Sequence, residues 1–208
     1  MSDNFLFIIS GPSGSGKTTL AKSLLTKHSD LHPSISATTR RPRQGELDGR
    51  DYYFIDEKTY CKMLDNCEFL ETATIFNNHY GTIIKNVDNA IKNNRNIIFD
   101  IEYSGMQQIK EKNKFNVSTV YILPTSLAAI EERISKRHNQ DDTLIKKEDI
   151  DARVSSVTKE IQNAHYYDFV FMNEDLEKSI EMLNAIYIAE SIKYKKNSFI
   201  SNHYFYDK

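Results

Sequence analysis

Gly11-Pro12-Ser13-Gly14-Ser15-Gly16-Lys17-Thr18 is the stretch on which the reading of this chain turns. Before it lies the apolar run Phe5-Leu6-Phe7-Ile8-Ile9, whose length suits a buried strand. After it comes Thr19-Leu20-Ala21-Lys22-Ser23-Leu24-Leu25, with Leu20, Leu24 and Leu25 at helical spacing. The eight residues therefore occupy a strand-to-helix turn, the setting that the P-loop pattern G-x-x-x-x-G-K-[ST] requires. Glycines let backbone N–H groups converge on phosphate oxygens without a Cβ in the way. The helix N-terminus favours an anion at the same place. Lys17 supplies a mobile cation for the β- and γ-phosphates, and Thr18 a hydroxyl for Mg²⁺. The expected ligand of Gly11, Pro12, Ser13, Gly14, Ser15, Gly16, Lys17 and Thr18 is a nucleoside triphosphate.

The bulk properties set limits around that loop. A length of 208 residues suits one sizeable domain, and 39% hydrophobic with 27% charged residues is a globular balance. A net charge of −2 argues against a general nucleic-acid binder, which carries a basic surplus. Cys61 and Cys67 fit neither a C-x-x-C redox pair nor a zinc knuckle, and are expected to be reduced thiols. A first strand starting by residue 5 leaves no space for a leader peptide in front of it, and no apolar run has the length of a bilayer span. A soluble, cytoplasmic protein is expected.

Along the rest of the chain, strand and helix patterns alternate. His32–Ser36 reads as the start of a short strand. Residues 57–65 read as an amphipathic helix with Tyr60, Met63 and Leu64 on one side. Short strands and turns are expected over 69–73 and 76–82, then a helix at about 84–94 sided by Val87 and Ile91. Asn96–Glu102 is a β-branched and aromatic run that ends in carboxylates, and a helix at about 103–112 leads to a strand at 117–123. Leu127, Ile130 and Ile134 mark one helix, and Ile150, Val154, Val157 and Ile161 another; between them, 138–149 forms a strongly polar excursion. A last strand at 169–172 precedes a helix marked by Leu176, Ile180, Leu183 and Tyr187, and the tail 196–208 has no period. Alternation of this kind argues a parallel sheet, into which the polar, short-element segment 38–83 is inserted. Of the six histidines only His28 and His32 stand four apart, and structural or surface roles are expected for all six.

In the segment Ala37–Phe54, Arg40, Arg41 and Arg43 are followed at once by Glu46, Asp48 and Asp51. A solvated charged loop is one reading of this. A compact phosphate site is the other, because arginine offers a planar fork matched to phosphate and the nearby tyrosines offer neutral donors.

Taken with the segments S-A-T-T-R-R-P-R-Q-G-E (36–46), G-R-D-Y-Y-F (49–54), F-L-E (69–71), Y-G-T (80–82), D-I-E (100–102) and Y-D-F-V-F-M-N (167–173), the chain resembles the guanylate kinase family from Ile8 to about Leu183. The resemblance implies an α/β fold: a P-loop NTPase parallel sheet flanked by helices, with an inserted mixed α+β GMP-binding region and a helical lid. As domains it implies one unit over 1–208, with a core (1–37, 84–136, 154–195), a GMP-binding region at 38–83, a lid at about 137–153 and a loose tail. By match of motif, Arg40, Arg43, Tyr52 and Tyr80 hold the phosphate of GMP. Ser36, Glu71 and Thr82 read guanine, with Glu102 near it. Asp100 sits at the metal and phosphate region, so Thr18 and Asp100 are the expected Mg²⁺ residues. Arg137 and Arg153 are the lid arginines that act with Lys17, and Asn173 borders the adenine of ATP.

The implied activity is ATP + GMP = ADP + GDP, with use of dGMP left open. The sequence departs from the family pattern at several positions: Thr72 stands for Trp, Asn78-His79 for Asn-Tyr, Glu102 for Asp and Ser104-Gly105 for Gln-Gly. Between Arg137 and Arg153 there is no glycine, and the span is longer than is usual in the family. Two other classes remain open here. One is a guanylate-kinase-like interaction module without catalysis, although such modules typically lose P-loop residues that are all present in this chain. The other is a different small-molecule P-loop kinase or a GTPase, although no N-K-x-D motif occurs.

Overall fold

The five residues Phe5–Ile9 are apolar without interruption because the strand they form is covered on both faces. In the computed structural model of the chain, which describes residues 4–12, 14–75, 77–126, 157 and 160–193, strand β1 (Phe5–Ser10) is buried from end to end. It is the middle strand of a five-stranded sheet with the order β2-β7-β1-β8-β9, where β2 is Leu31–Pro33, β7 Asn96–Asp100, β8 Asn116–Leu123 and β9 Phe169–Met172. Every pairing in this sheet is parallel. Parallel strands need crossovers, so both faces carry helices and the strands read as continuous apolar runs.

Alternation along β1 divides the core in two. Phe5, Phe7 and Ile9 pack with Leu20 and Leu24 of α1 (Lys17–Lys27) and with Leu183 and Tyr187 of the closing helix α5 (Leu176–Ser191). Leu6 and Ile8 face Val87 of α3 (Ile84–Lys92) and Met106 and Ile109 of α4 (Tyr103–Glu111). The strand order reverses on the two sides of β1, the arrangement that opens a crevice at the carboxyl ends of the strands. The glycine-rich loop leaves β1 at that end, and Asp100 closes the adjacent β7.

A second sheet, with the order β4-β3-β6-β5, combines β3 (Ala37–Thr38), β4 (Tyr53–Phe54), β5 (Phe69–Ile75) and β6 (Asn78–Ile83). It is mixed: β3 runs parallel to β4, and β6 antiparallel to β3 and β5. Its own small core is Ala37, Tyr60 and Phe69, with the Tyr60 and Phe69 rings stacked at 4.9 Å. Gly81 is required by this packing, since a Cβ there would lie 2.6 Å from the Phe69 ring. Helix α2 (Glu57–Asp65) starts at Asp56, whose carboxylate accepts from the Thr59 N–H at 2.7 Å and caps the first turn. Leu70 of β5 reaches into the core face beside Met106 and Ile109, so the second sheet is anchored to the first by an apolar contact.

Three local expectations need correction. His32–Ser36 does not start a single strand. It holds the end of β2, which stops at Pro33, and a link that crosses to β3 in the other sheet. A proline without an N–H is tolerated there because β2 is an edge strand. Leu64 is 47% exposed, since Tyr60 and Phe69 already fill the small core under α2. Leu176, in the first turn of α5, is also exposed, and the buried stripe of that helix is centred on Leu183 and Tyr187. The helix expected from Leu127 to Ile134 lies outside the described residues, as does most of the one expected from Ile150. Val157 is described and packs against Ile161.

Candidate active site

The phosphate loop is shaped by close approaches that exclude a side chain. Gly11, Gly14 and Gly16 have φ of 147°, 83° and 95°, a region that glycine enters without strain. A Cβ on Gly11 would lie 2.3 Å from the Ile122 carbonyl, and one on Gly16 would lie 2.3 Å from Asn173 Nδ2. The loop is thus pressed onto the end of β8 and onto Asn173, whose buried amide donates to the Ser15 carbonyl at 2.8 Å. Helix α1 follows with Gly16, which has no side chain to cap the first turn, at its N-cap. The Ser15 hydroxyl is buried with no hydrogen-bond partner among the described residues. Lys17 Nζ donates to the carbonyls of Gly11 and Pro12 at 2.7 and 3.0 Å, folding its charge over the loop. Thr18, at the exposed start of α1, donates from Oγ1 to Asp100 Oδ2 at 3.2 Å.

On the second sheet, Arg40 holds Glu46 through two parallel bonds, Nη1 to Oε2 at 3.0 Å and Nη2 to Oε1 at 2.9 Å. The pairing holds Glu46 below the usual carboxylate range and Arg40 above its own, with the mutual hydrogen bond as the main cause in each case. Glu46 also accepts the Arg43 backbone N–H at 2.7 Å, while the Arg43 side chain stays exposed. The Arg40 guanidinium lies 5.3 Å over the Tyr52 ring, and Tyr52 meets Tyr80 edge-on at 5.9 Å. Burial pushes the Tyr52 hydroxyl up, so it stays a neutral donor at neutral pH; the charge of Asp100 acts in the same direction.

Deeper in the same sheet, Glu71 is 3% exposed and accepts the Thr82 hydroxyl at 2.7 Å. The Ser36 hydroxyl is 3.4 Å from that of Thr82. Burial raises the Glu71 carboxyl. The hydrogen bonds from Thr82 and the charge of Lys112 oppose the rise, and the charge of Glu102 adds to it. Glu102 itself stands exposed at the N-cap of α4.

A site with phosphate donors on one sheet and a buried carboxylate on the other can be compared with known proteins. The family model "Guanylate kinase" matches residues 4–190. The chain belongs to the guanylate kinase family. It is 39% identical over 193 residues to the guanylate kinase of Nitrobacter winogradskyi, covering 93% of this chain and 86% of that one. It is 42% identical over 188 residues to the guanylate kinase of Maricaulis maris, covering 90% and 84%. The crystal structure of guanylate kinase from Anaplasma phagocytophilum superposes with a TM-score of 0.72 at 28% identity, covering 93% of this chain and 89% of that one.

Of the residues that the guanylate kinase motifs single out, Gly11, Pro12, Gly14, Ser15, Gly16, Lys17, Thr18 and Asp100 converge at the carboxyl end of the main sheet. Ser36, Arg40, Tyr52, Glu71, Tyr80 and Thr82 line the second sheet and its loop. Ser13, Arg137 and Arg153 lie outside the described residues. Two contributors had no role in the sequence reading. Glu46 sits inside a quoted motif, where its spacing from Arg40 was an available signal. Gly105, noted only as part of a departure from the family pattern, packs against Glu71, where a Cβ would come 2.8 Å from Oε2. No grouping of three or more His, Cys, Asp or Glu able to hold a metal occurs among the described residues. The oxygen pair of Thr18 and Asp100 suits Mg²⁺, which takes few protein ligands and keeps water and substrate phosphates as the others. Among the described residues no helix is long and apolar enough to cross a membrane.

Proposed function

We propose that the protein transfers the γ-phosphoryl group of ATP to GMP, giving ADP and GDP. The observation that carries this reading is the buried carboxylate of Glu71, held by Thr82, in a chain whose phosphate loop keeps Lys17, Thr18 and Asp100 together. Guanine presents two adjacent donors, N1–H and the exocyclic amine, and an ionised carboxylate accepts both. Ser36 and Thr82 complete the polar wall around the base. Arg40, oriented by Glu46, together with Arg43 and the hydroxyls of Tyr52 and Tyr80, takes the GMP phosphate.

The acceptor is a GMP phosphate oxygen, already ionised at neutral pH, so the chain needs no catalytic base. Phosphoryl transfer of this kind depends on positioning and charge stabilisation. The first turn of α1 and Lys17 bind the ATP phosphates; Lys17 leaves the loop carbonyls to do so. Thr18 and Asp100 would hold Mg²⁺, which when bound neutralises phosphate charge. Arg137 and Arg153 are assigned to the lid that covers the transferring group and excludes water. Asn173 braces the loop at Ser15 and borders the adenine.

A cytoplasmic place in purine nucleotide metabolism, with nucleotides rather than nucleic acids or membranes as partners, goes with the two free, exposed cysteines and the net charge of −2. A coupled ADP-release assay over GMP, AMP, UMP and dTMP tests the assignment. Turnover with GMP far above the others is expected, and equal or absent turnover with GMP overturns it.

A further inference from the structure

Gly105 and Gln108 of α4 and Lys112 at its C-cap lie three and four residues apart on one side of the helix, and all three meet strand β5. Gly105 backs the Glu71 carboxylate, and Lys112 Nζ donates to the Phe69 carbonyl at 2.9 Å. Between them the Gln108 side chain pairs with both backbone groups of Thr72. The Thr72 N–H donates to Oε1 at 3.0 Å, and Nε2 donates to the Thr72 carbonyl at 2.8 Å. Strand β5 is an edge of its sheet, so these two groups point away from β6 and would otherwise have no ladder partner. Gln108 therefore acts as one residue of an additional strand.

The position of this clamp matters. Thr72 follows Glu71 directly, and the register with β6 is irregular between Phe69 and Glu71. Pairing with β6 alone leaves the backbone at Glu71 less constrained than a regular ladder would. The outer pairing at Thr72 removes that freedom. Helix α4 also starts three residues beyond Asp100, so the clamp ties the buried carboxylate to the strand end that faces Thr18.

We propose that Gln108 is a positioning residue for guanine selection, holding β5 so that the Glu71 carboxylate stays at the first turn of α4 and at a set distance from the phosphate end of the site. This rests on the reading of Glu71 as the guanine acceptor. Gln108 touches no substrate; it acts through Thr72 and the strand.

The test compares the parent with Gln108→Ala and Gln108→Glu in steady-state kinetics with ATP and either GMP or IMP, which lacks the exocyclic amine. Gln108→Glu keeps an acceptor for the Thr72 N–H but sets a carboxylate oxygen against the Thr72 carbonyl, and it carries the same readout should the alanine variant not fold. KM for GMP is expected to rise about tenfold, while kcat and KM for ATP stay within about twofold. The preference for GMP over IMP should fall several-fold. Unchanged constants in a folded variant overturn the proposal. So does a parallel rise of both KM values with the GMP preference intact, which is what general loosening produces. A parent enzyme inactive on GMP removes the reading of Glu71 itself, whereas an active parent with unaffected variants removes only Gln108.

Discussion

Thr82 donates a 2.7 Å hydrogen bond to Glu71 across the β5–β6 pair, placing a charge acceptor where water is almost absent. The bond is one of the groups that keep the carboxyl ionisable against the cost of burial. Glu71→Gln keeps the volume but turns one side of the group into a donor facing the guanine donors. kcat/KM for GMP should fall by about 10²–10³-fold, with KM for ATP nearly unmoved. Parent-like phosphorylation of GMP by this variant would move guanine recognition to Ser36 and Thr82.

The same burial gives a stability signature. Because the Glu71 carboxyl is raised, the native state keeps its proton at pH values where the unfolded chain has released it. Stability therefore drops as pH rises from the ordinary glutamate value of 4.5 through the raised one, and the full cost is present above that. Glu71→Gln should lack this part of the slope and be at least as stable as the parent at neutral pH. Urea unfolding of both proteins from pH 4.5 upward checks it, and parallel curves would refute it.

Thr82→Val removes the donor that lowers the Glu71 carboxyl. The acid limb of kcat/KM for GMP should shift to higher pH relative to the parent. A limb at the parent position would mean that Glu71 is not the group titrating there.

Lys17 rests on the carbonyls of Gly11 and Pro12, so its truncation removes a charge without opening a core. Lys17→Ala should lower kcat by roughly 10²–10⁴-fold in a folded protein. Gly16→Ala should lose ATP binding by a different route, because its Cβ would meet Asn173 at 2.3 Å on a backbone of φ 95°. GMP binding by calorimetry should survive both changes.

The two bonds between Arg40 and Glu46 predict an ordered series. Arg40→Ala should raise KM for GMP most. Glu46→Gln, which leaves the cation but loosens its fork, should raise it less, by about tenfold or below. An unaffected KM in Arg40→Ala would return this segment to a solvated charged loop.

How much of this was legible in the chain differs from residue to residue. The phosphate loop, the buried strand before it and helix α2 over 57–65 could be read directly, because glycine spacing and hydrophobic period are properties of a few consecutive residues. The motif resemblance singled out Glu71, Arg40 and Tyr52, but nothing near Glu71 in the sequence says that its carboxylate is buried. That follows from pairing with β6 eleven residues on and from the approach of Gly105 on α4, both products of the assembled fold. Asn173 could be marked by its motif, whereas its bond to Ser15 spans 158 residues. Gln108 carries no signal of its own, since a glutamine at a helix position is common and becomes specific only when an edge strand lies within reach. Local backbone preference therefore determined the elements, and the junction of the two sheets decided which polar groups lost water and which partners replaced it.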